Sequence, residues 1–209
     1  MFQDRKDAGI RLAAALEGYR GQDVIVFALP RGGVVLGAEI AMKLNSPLDL
    51  VLTKKIGHPY NPEYAICAVA EEGEPICNRF ELASVDPVWF QKEVERIRVE
   101  LKRRRLEYLG DTEPHQVEGK IAIIVDDGIA TGFTMMAAIK EMEKRKAKQI
   151  IVAIPVTPYN TAQRLMSMGV DLVSLQIDRA YLGAVGAYYG DFRQVTDSEV
   201  IALMKLVRG

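Results

Sequence analysis

Residues that staple or metallate small proteins are scarce in this sequence: two cysteines, Cys67 and Cys77, and two histidines, His58 and His115, stand among 209 residues. So few, and so dispersed, they suggest neither a structural zinc site nor a disulfide framework. Long apolar runs are missing as well. Nowhere do about 18 apolar residues run together, the least a membrane-spanning helix needs, and the opening MFQDRKDAGIRLAAALEGYR scatters charge through what would be the apolar core of a leader. A charge excess is also lacking. With 27 basic against 28 acidic side chains, the formal net charge of −1 gives no global reason to expect nucleic acid or an anionic membrane as partner. Any anion site must therefore be local, and the expected setting is a reducing cytoplasm.

What is present is the composition of a folded globular protein, 49% hydrophobic and 26% charged, long enough for one domain over residues 1–209 with a sizeable core. Asp7 to Tyr19 has apolar residues at helical spacing, and the short apolar run Val24–Leu29 reads as a buried strand. Pro30-Arg31-Gly32-Gly33 then turns into a helix from Val34 to Leu44, followed by a second apolar run, Leu48–Thr53. The stretch Lys54 to Pro62 holds a glycine and two prolines and reads as a mobile surface loop. Ala65–Ala70 and Pro75–Cys77 suggest a hairpin across Glu71-Glu72-Gly73-Glu74. Such a hairpin would bring the two cysteines near each other, but buried free thiols are the common case and they are assigned no function.

Asp86-Pro87 is a good start for a long charged helix ending near Gly110. Its basic cluster Lys102-Arg103-Arg104-Arg105 shares the helix with Glu93, Glu95, Glu100 and Glu107, so a solvated, salt-bridged face, with Glu100 pairing Arg104, is preferred to an RNA contact. From Lys120 strands and helices alternate: strand Ile121–Val125, helix Thr134–Lys144, strand Ile150–Ile154, helix Pro158–Met168 closed by Gly169, strand Leu172–Leu175. This rhythm predicts an α/β fold with a parallel sheet and crossover helices. The tail from Gln176 is glycine- and tyrosine-rich, and Thr196-Asp-Ser-Glu199 is a capping box opening a last helix to Val207.

The segment that carries chemistry is Val125-Asp126-Asp127-Gly128-Ile129-Ala130-Thr131-Gly132-Phe133-Thr134, which joins a buried strand to a helix through two carboxylates and a small-residue turn. In open parallel sheets ligands sit at the carboxyl ends of the strands. Gly128 and Gly132 permit unusual backbone angles, the next helix presents unpaired N–H groups, and Thr131 and Thr134 add hydroxyls; together they suit a phosphate. Paired acids would repel a bare polyphosphate, but they suit a ligand that also offers hydroxyls or a bridging Mg²⁺, as a sugar phosphate does. Alone, either the acids or the glycines would be read as a helix cap or a turn. In this order after a strand they favour a ligand site.

This segment resembles the 5-phosphoribosyl-1-pyrophosphate loop of the type I phosphoribosyltransferases. The resemblance covers about residues 24–175 and implies a doubly wound, mainly parallel sheet with a small hood, here the tail 176–209 with Tyr181, Tyr188 and Tyr189. It implies that Asp126 and Asp127 hold the ribose 2- and 3-hydroxyls as catalytic residues, and that the loop Gly128, Ile129, Ala130, Thr131, Gly132, Phe133 and Thr134 wraps the 5-phosphate. Leu29-Pro30-Arg31-Gly32-Gly33 resembles the family's pyrophosphate loop, often built around a non-proline cis peptide, with Arg31 adding charge. A solvated turn is the competing reading there. Lys54 and Lys55 occupy the place of the flexible catalytic loop, an ordinary solvated pair being the alternative. The implied cofactor is Mg²⁺, carried by the pyrophosphate, with no direct protein ligand and Asp126 or Asp127 reaching it through water. Ala130 and Phe133 stand where the 6-oxopurine enzymes carry aspartate and lysine, which disfavours hypoxanthine and guanine; the Ala-Thr-Gly form looks more like the adenine and uracil enzymes, and the acceptor stays open. The implied reaction transfers the phosphoribosyl group to a nitrogenous acceptor in nucleotide salvage, and homodimers are common in the family. A regulator that senses the same metabolite with little catalysis is the alternative, as is a different sugar-phosphate reaction.

Overall fold

A computed structural model describes residues 1–208. In chain order the elements are α1 (Arg5–Ala15), β1 (Val24–Ala28), α2 (Gly32–Leu44), β2 (Leu48–Leu50), β3 (Thr53–His58), β4 (Asn61–Ala70), β5 (Ile76–Cys77), α3 (Arg79–Leu82), α4 (Pro87–Leu109), β6 (Ile121–Val125), α5 (Phe133–Lys144), β7 (Gln149–Pro158), α6 (Tyr159–Met166), β8 (Asp171–Asp178) and α7 (Asp197–Arg208). Every residue of β1 and β6 is buried, as expected of strands covered on both faces. They form the centre of a five-stranded parallel sheet ordered β2-β1-β6-β7-β8.

Side chains alternate between the two faces. Val24, Val26, Ala28, Ile121, Ile123 and Val125 pack with Ala8 and Leu12 of α1 and Val34, Leu36 and Ile40 of α2. Ile25, Phe27, Ala122 and Ile124 face Met135, Ile139 and Met142 of α5 and Leu165 of α6. The sheet is thus doubly wound, and α1 belongs to its core. The chain order reverses between β1 and β6, which puts a crevice at their carboxyl ends, the place where open α/β sheets bind ligands.

A smaller antiparallel sheet, β3-β4-β5, packs against α4 and α5. It corrects three expectations. Lys54 to Pro62 is a hairpin rather than a loop: β3 pairs with β4 from Thr53↔Ala70 to His58↔Asn61, and only Pro59-Tyr60 turns, with His58 Nδ1 accepting from Tyr60 N–H (3.2 Å). Gly57 marks a bulge, since a β-carbon there would lie 2.0 Å from the Pro62 carbonyl oxygen. The apolar run Leu48–Thr53 is split, with Leu48–Leu50 in the large sheet and Thr53 opening the small one. Finally, Cys67 and Cys77 face each other across β4 and β5 and form a disulfide, Cα–Cα 4.0 Å, so neither is the free thiol expected.

The long helix α4 starts as its sequence foretells, Asp86 capping Val88 N–H (3.0 Å), and ends at Gly110. Its basic cluster is not uniformly solvated. Arg105 is buried, donating to Asp49 (3.0 Å), Glu71 (2.9 Å) and the Leu50 carbonyl (2.6 Å). A guanidinium so deep is tolerable because all its recorded partners are acceptors. Glu100 pairs with Lys54 and Arg96, and Arg104 reaches Tyr108 instead.

Candidate active site

At the crevice the ends of β1 and β6 are tied by Leu29 N–H to the Val125 carbonyl (2.9 Å). The Pro30–Arg31 peptide is cis, and Gly32 and Gly33 open α2 against the neighbouring loop. A β-carbon on Gly33 would lie 2.7 Å from the Val125 carbonyl oxygen, and one on Gly32 1.9 Å from Asp127 Oδ2. The Arg31 turn and the acid pair therefore form one surface. Arg31 itself is partly exposed, its Nη1 3.9 Å from Asp197 at the head of α7, and Asp197 also accepts from the Tyr108 hydroxyl (2.6 Å).

Asp127 N–H donates to Asp126 Oδ1 (2.8 Å). Burial, then the neighbouring Asp127 charge, pushes the Asp126 carboxyl well above its ordinary range. Asp127 is also raised by burial, opposed by Arg5, whose Nε lies 2.7 Å from Oδ2. The Tyr189 hydroxyl donates to the Asp127 carbonyl, and its own titration is pushed up by burial and then by the Asp127 charge. The N-terminal segment meets the tail here: Phe2 N–H donates to the Tyr188 carbonyl (2.8 Å) and Gly190 N–H to the Phe2 carbonyl (2.8 Å). Sequence reasoning missed Arg5 entirely. Tyr189 was expected in a hood, not as a donor beneath the acid pair.

The turn after the acids is fixed from behind. Gly128 adopts φ 149° where a β-carbon would strike Val185, 2.4 Å away, and Ile129 N–H donates to the Val156 carbonyl of β7 (3.0 Å). Thr161 Oγ1 donates to the Ala130 carbonyl and Arg164 to the Thr131 carbonyl, both at 2.7 Å. Because C=O and N–H point opposite ways across a trans peptide, α6 thereby turns the N–H groups of Thr131 and Gly132 away from itself. Gly132, at φ 83°, caps α5, whose first-turn N–H groups continue the row. Ala130 and Thr131 are exposed, and among the described residues no hydrogen bond engages the Thr131 or Thr134 hydroxyl. Phe133, bulky for such a loop, packs against Ala68 and Ala70 of β4 and Ala137 of α5, so it anchors the turn to the small sheet.

Lys54 Nζ is held by Glu100 of α4 at 2.6 Å, and Lys55 is exposed on β3. The tail folds over the end of β8: the Tyr188 hydroxyl donates to Asp178 (2.6 Å), and the Tyr188 ring stacks on that of Tyr181, centroids 5.4 Å apart. The Arg179 guanidinium lies 4.0 Å over the Tyr159 ring. Among the described residues no three His, Cys, Asp or Glu side chains cluster as a metal site, and no helix is long and apolar enough to cross a membrane.

A family profile described as the phosphoribosyl transferase domain matches residues 2–188. The chain belongs to the phosphoribosyltransferase family. It is 35% identical over 211 residues to the Mycobacterium tuberculosis protein named "Putative phosphoribosyl transferase Rv0571c", a match covering 98% of this chain and 46% of that one, so the chain spans about half the length of the curated relatives it matches. TT1426 from Thermus thermophilus superimposes with a TM-score of 0.83 at 38% identity, covering 98% and 97% of the two chains. A Neisseria gonorrhoeae protein solved with bound ppGpp shares the fold, TM-score 0.52 at 15% identity, covering 99% and 98%. The doubly wound parallel sheet expected from the sequence is the fold observed in this member of the phosphoribosyltransferase family.

Proposed function

We propose that the protein transfers the 5-phosphoribosyl group of 5-phosphoribosyl-1-pyrophosphate to a ring nitrogen of a nucleobase-like acceptor, releasing pyrophosphate. The observation that carries the reading is the contact of Gly32 with Asp127: a turn suited to a leaving pyrophosphate touches the carboxylate suited to the ribose, at the switch point of the sheet. The N–H row from Thr131 through the head of α5 supports the 5-phosphate end.

In this reading the bond from the anomeric carbon to the pyrophosphate oxygen breaks as the acceptor nitrogen bonds to the opposite face. Asp126 and Asp127 accept from the ribose hydroxyls and stabilise the positive charge that develops on the ring; the Arg31 turn, with Lys54 or Lys55, offsets the charge of the departing group. Two carboxylates beside a pyrophosphate turn fit Mg²⁺, which takes one or two carboxylates together with ligand oxygens; Asp126 or Asp127 would hold it through water. Bound there, it would neutralise charge on the leaving group. The setting we propose is cytoplasmic nucleotide salvage, with the protein as a homodimer.

The test is Mg²⁺-dependent pyrophosphate release, screened with adenine, uracil, xanthine, orotate, nicotinate and simple amines, beside the Asp127→Asn variant. Acceptor-stimulated release is expected, lowered about 10²-fold or more in the variant. Near wild-type turnover in Asp127→Asn would remove the acids from the mechanism. The second reading, a metabolite sensor, is favoured by the fold's occurrence in a protein with bound ppGpp. Tight binding of 5-phosphoribosyl-1-pyrophosphate, or competition by ppGpp, without any release would establish it instead.

A further inference from the structure

We infer that Arg5, the first residue of α1, is a positioning residue for the transfer: it sets the orientation of Asp127 and cancels one of the two acidic charges that face the pyrophosphate. The inference rests on the transferase reading above.

Three contacts fix this guanidinium. Nε donates to Asp127 Oδ2 (2.7 Å), Nη1 donates to the Arg193 carbonyl (2.6 Å), and the group lies over the Phe192 ring, 3.8 Å from its centroid. Two donors of a rigid planar fork define its plane, and the ring supports one face of it. The Arg5 and Asp127 side chains are only 11% and 15% exposed, so the pair is little screened by water and its geometry is stiff. This is unlike the solvated pairs of α1 itself, such as Arg11 with Asp7, where the arginine side chain is 48% exposed.

The location gives the pair its meaning. A β-carbon on Gly32 would lie 1.9 Å from Asp127 Oδ2 and 2.9 Å from Arg5 Nε, so carboxylate, guanidinium and the pyrophosphate turn meet at one point. Two adjacent carboxylates oppose the approach of a polyanion. A cation held beside one of them reduces that opposition without occupying the turn. The elements that aim Arg5, the tail residues Phe192 and Arg193, are joined to the N-terminal residues through Phe2, Gln3, Gly190 and Asp191. Thus residues 2–5 and 188–193, neither of which carries a motif, together orient a residue of the motif loop.

The experiment compares wild type, Arg5→Ala and Arg5→Lys for acceptor-dependent pyrophosphate release, with kcat and KM separated, in the presence and absence of added guanidinium at non-denaturing concentration. We expect Arg5→Ala to lower kcat about 10-fold or more, the scale of a misplaced reacting group, with folding unchanged by circular dichroism. Added guanidinium should restore part of the rate in Arg5→Ala but none in Asp127→Asn, and Arg5→Lys should fall between. An active wild type with kcat in Arg5→Ala within twofold of it overturns the inference and leaves the transferase reading standing. So does a loss in Arg5→Ala that neither guanidinium nor lysine relieves, which would mark a purely structural contact. A wild type that releases no pyrophosphate with any acceptor sinks the transferase reading, and the role given to Arg5 falls with it.

Discussion

The carboxylate of Asp127 fills the space in which Gly32 would carry a β-carbon, 1.9 Å from Oδ2 and 2.6 Å from Cγ. An alanine there forces the acid, the Arg5 guanidinium or the head of α2 to move. We expect Gly32→Ala to cost about 1–3 kcal/mol of stability, as inserted methyl groups in packed sites do, and to lower turnover at least about 10-fold by displacing Asp127. Gly18 is the control: a β-carbon there meets nothing within 4 Å, so Gly18→Ala should stay within about 0.5 kcal/mol of wild type. Urea unfolding alongside steady-state kinetics separates the two, and equal behaviour of both variants would refute the crowding argument.

The two lysines of β3 should prove unequal. Lys54 is already paired with Glu100 at 2.6 Å, a carboxylate that this contact holds below its usual range, whereas Lys55 is exposed. A pyrophosphate would have to displace Glu100 to engage Lys54, so Lys55→Ala is expected to lower kcat/KM the more, and Lys54→Ala to change it by less than about threefold, the scale of a partly solvated ion pair. The reverse order would show that the hairpin rearranges and that Glu100 is only a resting partner.

The contrast between what could be read locally and what could not follows from the range of the interactions. The Asp86-Pro87 start of α4 and the Thr196–Glu199 capping box are set by neighbours within four residues, and β6 is a run of five buried apolar residues; each was legible. The phosphate turn was legible too, because its glycines and acids sit in one segment. β3 was not: Lys54, Lys55 and His58 leave it without a clean alternating apolar face, and only pairing with β4 makes it a strand. Arg5 meets Asp127 across 122 residues with no signature at either end of the span. Phe133 looked out of place until Ala68 and Ala70 came beneath it, and the burial of Arg105 depends on Asp49 and Glu71 arriving from two other elements.

Below that arginine, Glu141 of α5 is buried among charges. Arg145 reaches Oε1 at 3.3 Å and Glu72 N–H lies 3.5 Å from Oε2, with Glu71 and Arg105 adding charge of either sign. Burial, followed by repulsion from Glu71, outweighs both arginines and pushes the carboxyl up to about 7. A carboxyl that titrates higher in the folded than in the unfolded chain favours folding when protonated. Its contribution is therefore complete at pH below about 4.5 and is lost as pH rises through about 7, a total of about 3 kcal/mol. Glu141→Gln keeps an acceptor for Arg145 and cannot ionise. Measured by urea unfolding from pH 5 to pH 8, wild type should lose stability relative to this variant by up to about 3 kcal/mol, most steeply between pH 5 and pH 7. Parallel profiles would mean that Arg145 neutralises Glu141 fully and that the carboxylate is ionised throughout; a gap that widens toward low pH would mean that the ion pair, not burial, governs this residue.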